Sequence, residues 1–350
     1  MPLPSSGAIS LSQVNTELGI ATTTAISLNQ TNVRSLFGKA SGIIAMSDGW
    51  GKSNALYAFT AFTFTNANTS GVTGPTLSSC LAAYNTGANT WLSNTAYFNV
   101  VRAGFQRWTC PATGTYVVRC AGAQGGVAGS NDYGRGIDVQ VTVTLTQGVV
   151  YTIAVGQQGS RSTSGGGGGA TWFVQGDPAT STATAICVAG GGGGTVDANA
   201  GSGMAVGDGR NLTSGANSLC ASGTGGTNGS GGTGSNNGWG GGGGGFTSNG
   251  TQAVNASGYG YSGLGYGWRD TSTPLQGGNT ATTATGGFGG GGGTHGNTGG
   301  GGGGGGYSGG GGSNQNQSPN IGGGGGSYGI SALTTNGYRQ GHGFCTVTKI

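Results

Sequence analysis

The chain has 350 residues, 87 of them glycine, and 12 basic against 8 acidic side chains give it a formal charge of +4. Charged residues make up 6% and no cluster of Lys or Arg occurs, so the footprint of a nucleic-acid partner is missing. No stretch reaches the roughly 18 apolar residues of a membrane span, and Met1–Gly7 has neither a basic nor an apolar leader segment, so no secretory signal is expected.

The N-terminal segment is repetitive. Ile9–Asn15 (ISLSQVN) returns as Ile26–Asn32 (ISLNQTN), and Ser41–Ser47 is a looser copy aligning with Ser6–Ser12. In the first two copies a polar residue precedes a short helical run closed by glycine, Val14–Leu18 then Gly19 and Val33–Phe37 then Gly38. Helices this short do not stand alone in water. The spacing predicts a docking module over 1–56 that needs a partner surface, with contacts through Leu11, Val14, Leu18, Leu28, Val33, Leu36, Phe37 and Trp50.

Period-two patterning begins at Phe59–Thr65 and continues in Tyr116–Cys120, Ile137–Leu145 and Val149–Val155. Turn signals separate these runs at Pro111–Gly114, Gly125–Gly126 and Gln147–Gly148, and Leu77–Tyr84 suits one or two helical turns. Two more strands are expected at Ala170–Val174 and Ala185–Ala189, and a last one at Gly343–Ile350. Short strands without intervening helices predict an antiparallel sandwich, formed by 57–190 plus 341–350.

Glycine runs stand at Gly165–Gly169, Gly190–Gly194, Gly240–Gly245, through 286–312, and at Gly322–Gly326. Such tracts would ordinarily be linker. Here aromatic or apolar residues abut them: Trp172, Trp239, Phe246, Phe288, Tyr307 and Tyr328. The ordered alternative is a polyproline-II-type helix with three residues per turn, able to pack closely because it lacks side chains. Collagen is excluded, since no strict Gly-X-Y period holds and there are 7 prolines. The region 191–340 is therefore expected to be a bundle of polyglycine-II helices.

Chemistry is sparse. The six cysteines (Cys80, Cys110, Cys120, Cys187, Cys220, Cys345) contain no CxxC pair and suit small buried apolar residues. Glu17 is the single glutamate, and His295 and His342 have no partner at the sequence level. Gly51-Lys52-Ser53 lacks the upstream glycine of a phosphate loop, because Met46 stands there. Neither catalysis, a metal nor a cofactor is expected. The segment Gly258–Asp270 holds Tyr259, Tyr261, Tyr266, Trp268 and Arg269, residue types that dominate binding hot spots. They are candidates for contact with a host surface, against the plainer reading that the rings seal the ends of glycine helices.

Colinear motifs over about 62–350 resemble a known family. Gly74–Tyr84, Gly104–Tyr116, Gly122–Gly126, Val155–Gly159 (VGQQG), Gly165–Val174, Ala189–Gly194 and Gly341–Gly343 look like the glycine-rich extracellular domain of the anaplastic lymphoma kinase and leukocyte tyrosine kinase receptors. The resemblance implies a jelly-roll-like, tumour-necrosis-factor-like sandwich with a glycine-helix bundle inserted before its last strand. It extends to neither a kinase nor a membrane anchor, and the acidic surface by which those receptors engage basic ligands has no counterpart here. Ile9–Gly19 and Ser41–Ser53 instead resemble the start of tail and other structural proteins of tailed phages, where glycine-helix bundles also form tail-fibre tip adhesins. These resemblances imply a virion protein of the tail fibre, tail tip or baseplate, made in the host cytoplasm and released by lysis. It would dock on other virion proteins, form a homotrimer and touch a host surface glycan or outer protein. A purely structural virion subunit and a bacterial surface adhesin remain as alternatives.

Overall fold

A computed structural model describes residues 2–126, 134–195, 204–219, 223–236, 239–253, 264–279, 284–295, 300–314 and 320–350. The chain divides into two units: Met1–Phe59 with Cys110–Thr115 and Thr144–Val149, and the remainder.

In the first unit the repeats become α1 (Leu11–Glu17) and α2 (Thr31–Phe37). Ser10 starts α1 with a capping box: its Oγ accepts from Gln13 N, and Gln13 Oε1 accepts from Ser10 N at 2.7 Å. Gly38 ends α2 at φ 70, a left-handed cap that suits a residue without a β-carbon. Val14, Val33, Leu36 and Phe37 pack with Leu3 and Ile9 into a small core, and Leu18 and Leu28 lie against it. Asn15, 1% exposed, fixes the connection between copies by donating from Nδ2 to the Thr22 and Thr24 oxygens at 3.2 and 2.7 Å. Each short helix thus finds in the other copy the burial it lacks alone.

Among the described residues, eleven strands form two antiparallel sheets. They are β1 (Ala61–Phe64), β2 (Phe98–Arg102), β3 (Phe105–Thr109), β4 (Gly114–Ala121), β5 (Gly136–Leu145) and β6 (Val150–Ala154), then β7 (Thr171–Gln175), β8 (Thr184–Ala189), β9 (Tyr328–Gly329), β10 (Thr334–Arg339) and β11 (Phe344–Lys349). One sheet runs β1-β11-β4-β5-β10 and the other β2-β3-β6-β7-β8-β9. The C-terminal strand therefore lies between β1 and β4, paired antiparallel to both. The fold is mainly β, as the alternation predicted. The expected strands all form, and β2, β3, β9 and β10 are additional.

The sheets meet through Trp108, Tyr151 and Phe173 of the six-stranded sheet. Tyr151 stacks on Phe173 at 5.2 Å, and Trp108 lies edge-on to Tyr116 of β4 at 6.1 Å. Period two sends the alternate residues of that sheet the other way. Phe105, Ala154, Trp172, Val174 and Val188 form a second apolar face, which packs against Phe246, Trp268, Leu275 and Phe288 of the glycine region.

That region is a bundle of three-fold helices. Gly302 and Gly305 donate to the Gly165 and Gly168 oxygens, Gly303 and Gly306 to Gly241 and Gly244, and Gly304 and Tyr307 to Gly323 and Gly326, at 2.8–3.2 Å. Every third N–H points to the same neighbour, as a helix of three residues per turn requires. The Gly302 and Gly305 oxygens accept from Gly194 and Gly191, those of Gly301 and Gly304 from Ser313 and Gly310, and that of Gly303 from Gly292. Residues 300–306 thus form a central helix bonded to six runs, and all seven are buried. Backbone groups with no ladder of their own are satisfied entirely by neighbours.

The sheets and the bundle share the chain closely. Run 165–169 leads into β7, run 190–194 leaves β8, and run 322–326 leads to β9. Expected boundaries shift accordingly: glycines 165–169 and 190 are bundle rather than sandwich, and β10 belongs to a sheet although it lies inside 191–340.

Candidate interaction surfaces

The aromatic segment is held from both sides. Tyr266 N donates to the Gln276 oxygen at 3.0 Å, Gly267 N to Asn249 Oδ1 at 2.8 Å and Trp268 N to the Gly245 oxygen at 3.0 Å. This fixes the Trp268 ring over the outer face of the six-stranded sheet, 5.7 Å from Phe105 and 5.6 Å from Trp172. The ring is 0% exposed. Trp268 is therefore not a contact residue for a host: a ring that covers sheet side chains has no face left for a sugar. Arg269 is half-buried, with its guanidinium 4.9 Å above the Phe246 ring and Nη2 donating to the Ser181 oxygen. Tyr266 is half-buried, and Tyr259 and Tyr261 lie outside the described residues.

The rings continue as a layer. Phe246 stacks on Tyr307 at 5.7 Å, and Tyr307 on Tyr328 of β9 at 4.4 Å. The plainer reading of the aromatics is close to what this shows, with one change. They cover the face of a sheet, because helices without side chains offer nothing else to bury against it. Four successive buried residues in β7, Thr171–Val174, carry the sequence signal for a strand covered on both faces.

Six of the eight expected docking residues split into two groups, while Leu18 and Leu28 are half-buried against the first unit's core. Val14, Val33, Leu36 and Phe37 are 0–7% exposed and form the first unit's own core, so they present no surface to a partner. The i, i+3 pattern reports an apolar face without saying whether a partner or the other repeat covers it. Leu11 and Trp50 stay 42% and 46% exposed, as does Ile43 at 93%. Trp50 is oriented by its Nε1 donating to the Gly7 oxygen at 2.9 Å.

The five described cysteines are buried thiols, as expected of small apolar residues. Cys120 and Cys345 face each other across paired strands with sulfurs 3.6 Å apart, and burial pushes the Cys120 thiol well above its ordinary value. Among the described residues no group of three His, Cys, Asp or Glu is placed to hold a metal ion. His342 Nδ1 accepts from Gln158 N at 3.1 Å, and burial with the nearby Arg339 charge holds its pKa below the usual imidazole value.

No protein-family model matches the chain. A stretch of 105 residues, 29% of the chain, is 35% identical to the mouse leukocyte tyrosine kinase receptor, of which the match spans 12%. The chain thus shares a segment with that receptor and covers about an eighth of its length.

Proposed function

We propose that this chain is a virion protein of a tailed phage, carried on the tail fibre, tail tip or baseplate, and that it binds the host surface. The central glycine helix supports this reading best. Its six-fold bonding leaves no room for side chains along 300–306, and in the sequence the residues other than glycine fall in the stretches that connect the runs. A backbone lattice that fixes its runs and leaves the connectors open to sequence change is suited to presenting recognition loops. The chain acts by binding rather than catalysis, without a cofactor, in line with its few titratable groups. Its partners are other virion proteins, met through the exposed Leu11 and Trp50 of the first unit, two further copies of itself in a homotrimer, and a host glycan or outer protein. The similarity to the receptor supports a shared domain and carries none of the receptor's activity.

The test uses gold-labelled antibody against residues 57–350 on purified particles, with purified chain as competitor for adsorption. Labelled tails and reduced adsorption are expected. Unlabelled particles contradict the assignment to the virion, and labelled tails with unchanged adsorption leave a purely structural subunit. A monomeric mass in solution contradicts the trimer.

A further inference from the structure

A cleft of ≈ 210 Å³ opens where the β2–β3 hairpin, the segment at 72–73 and the turn at 272–276 come together. Its construction is specific. The hairpin closes on Ala103 and Gly104, with Gly104 at φ +92, and a β-carbon there would lie 2.2 Å from Phe288 Cζ. Glycine is needed both for the turn and for the ring beneath it. A register irregularity between Asn99 and Arg102 re-aims the end of β2. Arg102 then lines the cleft, with Nη2 donating to the Ser272 oxygen. No carboxylate pairs with it among the described residues.

The opposite wall is fixed by Asp270. Its Oδ1 accepts from Ser272 N at 3.0 Å and Thr273 N at 2.6 Å, and its Oδ2 from Asn249 Nδ2 at 2.8 Å. Burial pushes this carboxyl up, but the bonds from Thr273, Asn249 and Ser272 outweigh it and hold the group ionised below its usual range. The Asp270 charge is thereby committed to the turn, and Asp270 does not line the cleft. What does line it is an apolar side of Val72 and Ala103 above the buried Phe105, Phe288 and Pro274, with Thr73, Thr273 and Gln276 as neutral polar groups around Arg102.

We propose that this cleft binds one acidic pyranose unit, its carboxylate on Arg102, its hydroxyls on the polar rim and its C–H face against Val72 and Ala103. A guanidinium presents a planar fork of donors that matches a carboxylate. The volume lies below the roughly 300–1,000 Å³ of pockets for drug-sized ligands, which suits a single ring rather than an oligosaccharide. In its biological setting this ligand rests on the adhesin reading above, since an acidic sugar is a component of a host-surface glycan. The chemistry of the cleft does not depend on it.

Titrating the full chain with glucuronic acid and with glucose, followed by calorimetry and ligand-observed NMR, isolates the carboxylate, because the two sugars differ only at C6. Glucuronic acid is expected to bind about tenfold more tightly or better, the step a charged hydrogen bond supplies. Arg102→Gln should remove that preference with the melting temperature unchanged. Acetate should bind far more weakly than glucuronic acid. Equal binding of glucose and glucuronic acid, equal binding of acetate, or no binding of either sugar overturns the proposal. The two readings fail separately. A chain that binds glucuronic acid but neither labels particles nor competes for adsorption sinks the adhesin reading and keeps the cleft. A chain that competes for adsorption without binding the sugar does the reverse.

Discussion

Glycine serves two different needs in the two units. In the N-terminal unit Gly38 and Gly42 supply an angle: they stand at φ +70 and +80, and a β-carbon on Gly42 would meet nothing within 4 Å. In the bundle glycine supplies space. Gly303 has no left-handed backbone, yet a β-carbon there would lie 2.0 Å from the Gly310 oxygen and 2.6 Å from its carbonyl carbon. The first use is local and tolerates neighbours of any kind. The second is collective, because each run is glycine so that the next can approach. Isolated glycines and runs of glycine therefore call for different physical explanations within one chain.

Substitution separates the two uses. Gly303→Val should have the largest effect. Overpacking alone costs about 1–3 kcal/mol, and with bonds to several runs forced apart as well the total should exceed the about 3–5 kcal/mol of losing a buried aromatic ring. Thermal melting should show the loss across all of the second unit. Trp268→Ala should come next, at about 3–5 kcal/mol for a fully buried aromatic ring. The Trp268 indole nitrogen has no hydrogen-bond partner, so Trp268→Phe should recover much of that stability. If Trp268→Ala reduced adsorption at an unchanged melting temperature, its place in the aromatic layer would be wrong. Gly42→Ala should cost less, about 1–2 kcal/mol for one left-handed residue, and the effect should stay within the first unit.

The smallest effect concerns pH. His342 is held neutral in the folded chain, so below about 6.5 the unfolded chain takes up a proton that the folded one refuses. Stability should be unaffected above that value and fall as the pH drops through it, down to the lowered folded value. Melting at pH 7.5 and 5.5 should show a smaller drop for His342→Asn, whose side-chain oxygen can still accept from Gln158. An identical drop in both would exclude His342 as the cause.

How much of the structure was legible in the sequence depended on whether the signal was local. Alternation located β4 to β8 and β11, and the glycine stop located the end of α2, because each is written within a few residues. β10 escaped, since Thr-Thr-Asn-Gly-Tyr-Arg is an exposed edge whose polar residues alternate with nothing apolar. The site residues were harder. Trp268 beside tyrosines and an arginine has a hot-spot composition, but its burial depends on the outer face of a sheet far away in sequence. Val14, Val33, Leu36 and Phe37 do form one apolar set, but the partner that covers them is the repeat itself. Arg102 carried no motif. Its setting comes from a hairpin, a ring below it and a turn about 170 residues away, a juxtaposition produced by the fold.

Amide hydrogen exchange across residues 300–307 tests the bundle most directly. These residues belong to no helix or strand of the usual kind, and glycine amides in a flexible tract exchange at unfolded-chain rates. Donated to three neighbouring runs, the amides of Gly302 to Gly306 should instead be as well protected as those of β4 and β7, opening only when the whole second unit unfolds. Exchange at the rate of an unfolded glycine peptide, with β4 and β7 still protected, would contradict the bundle.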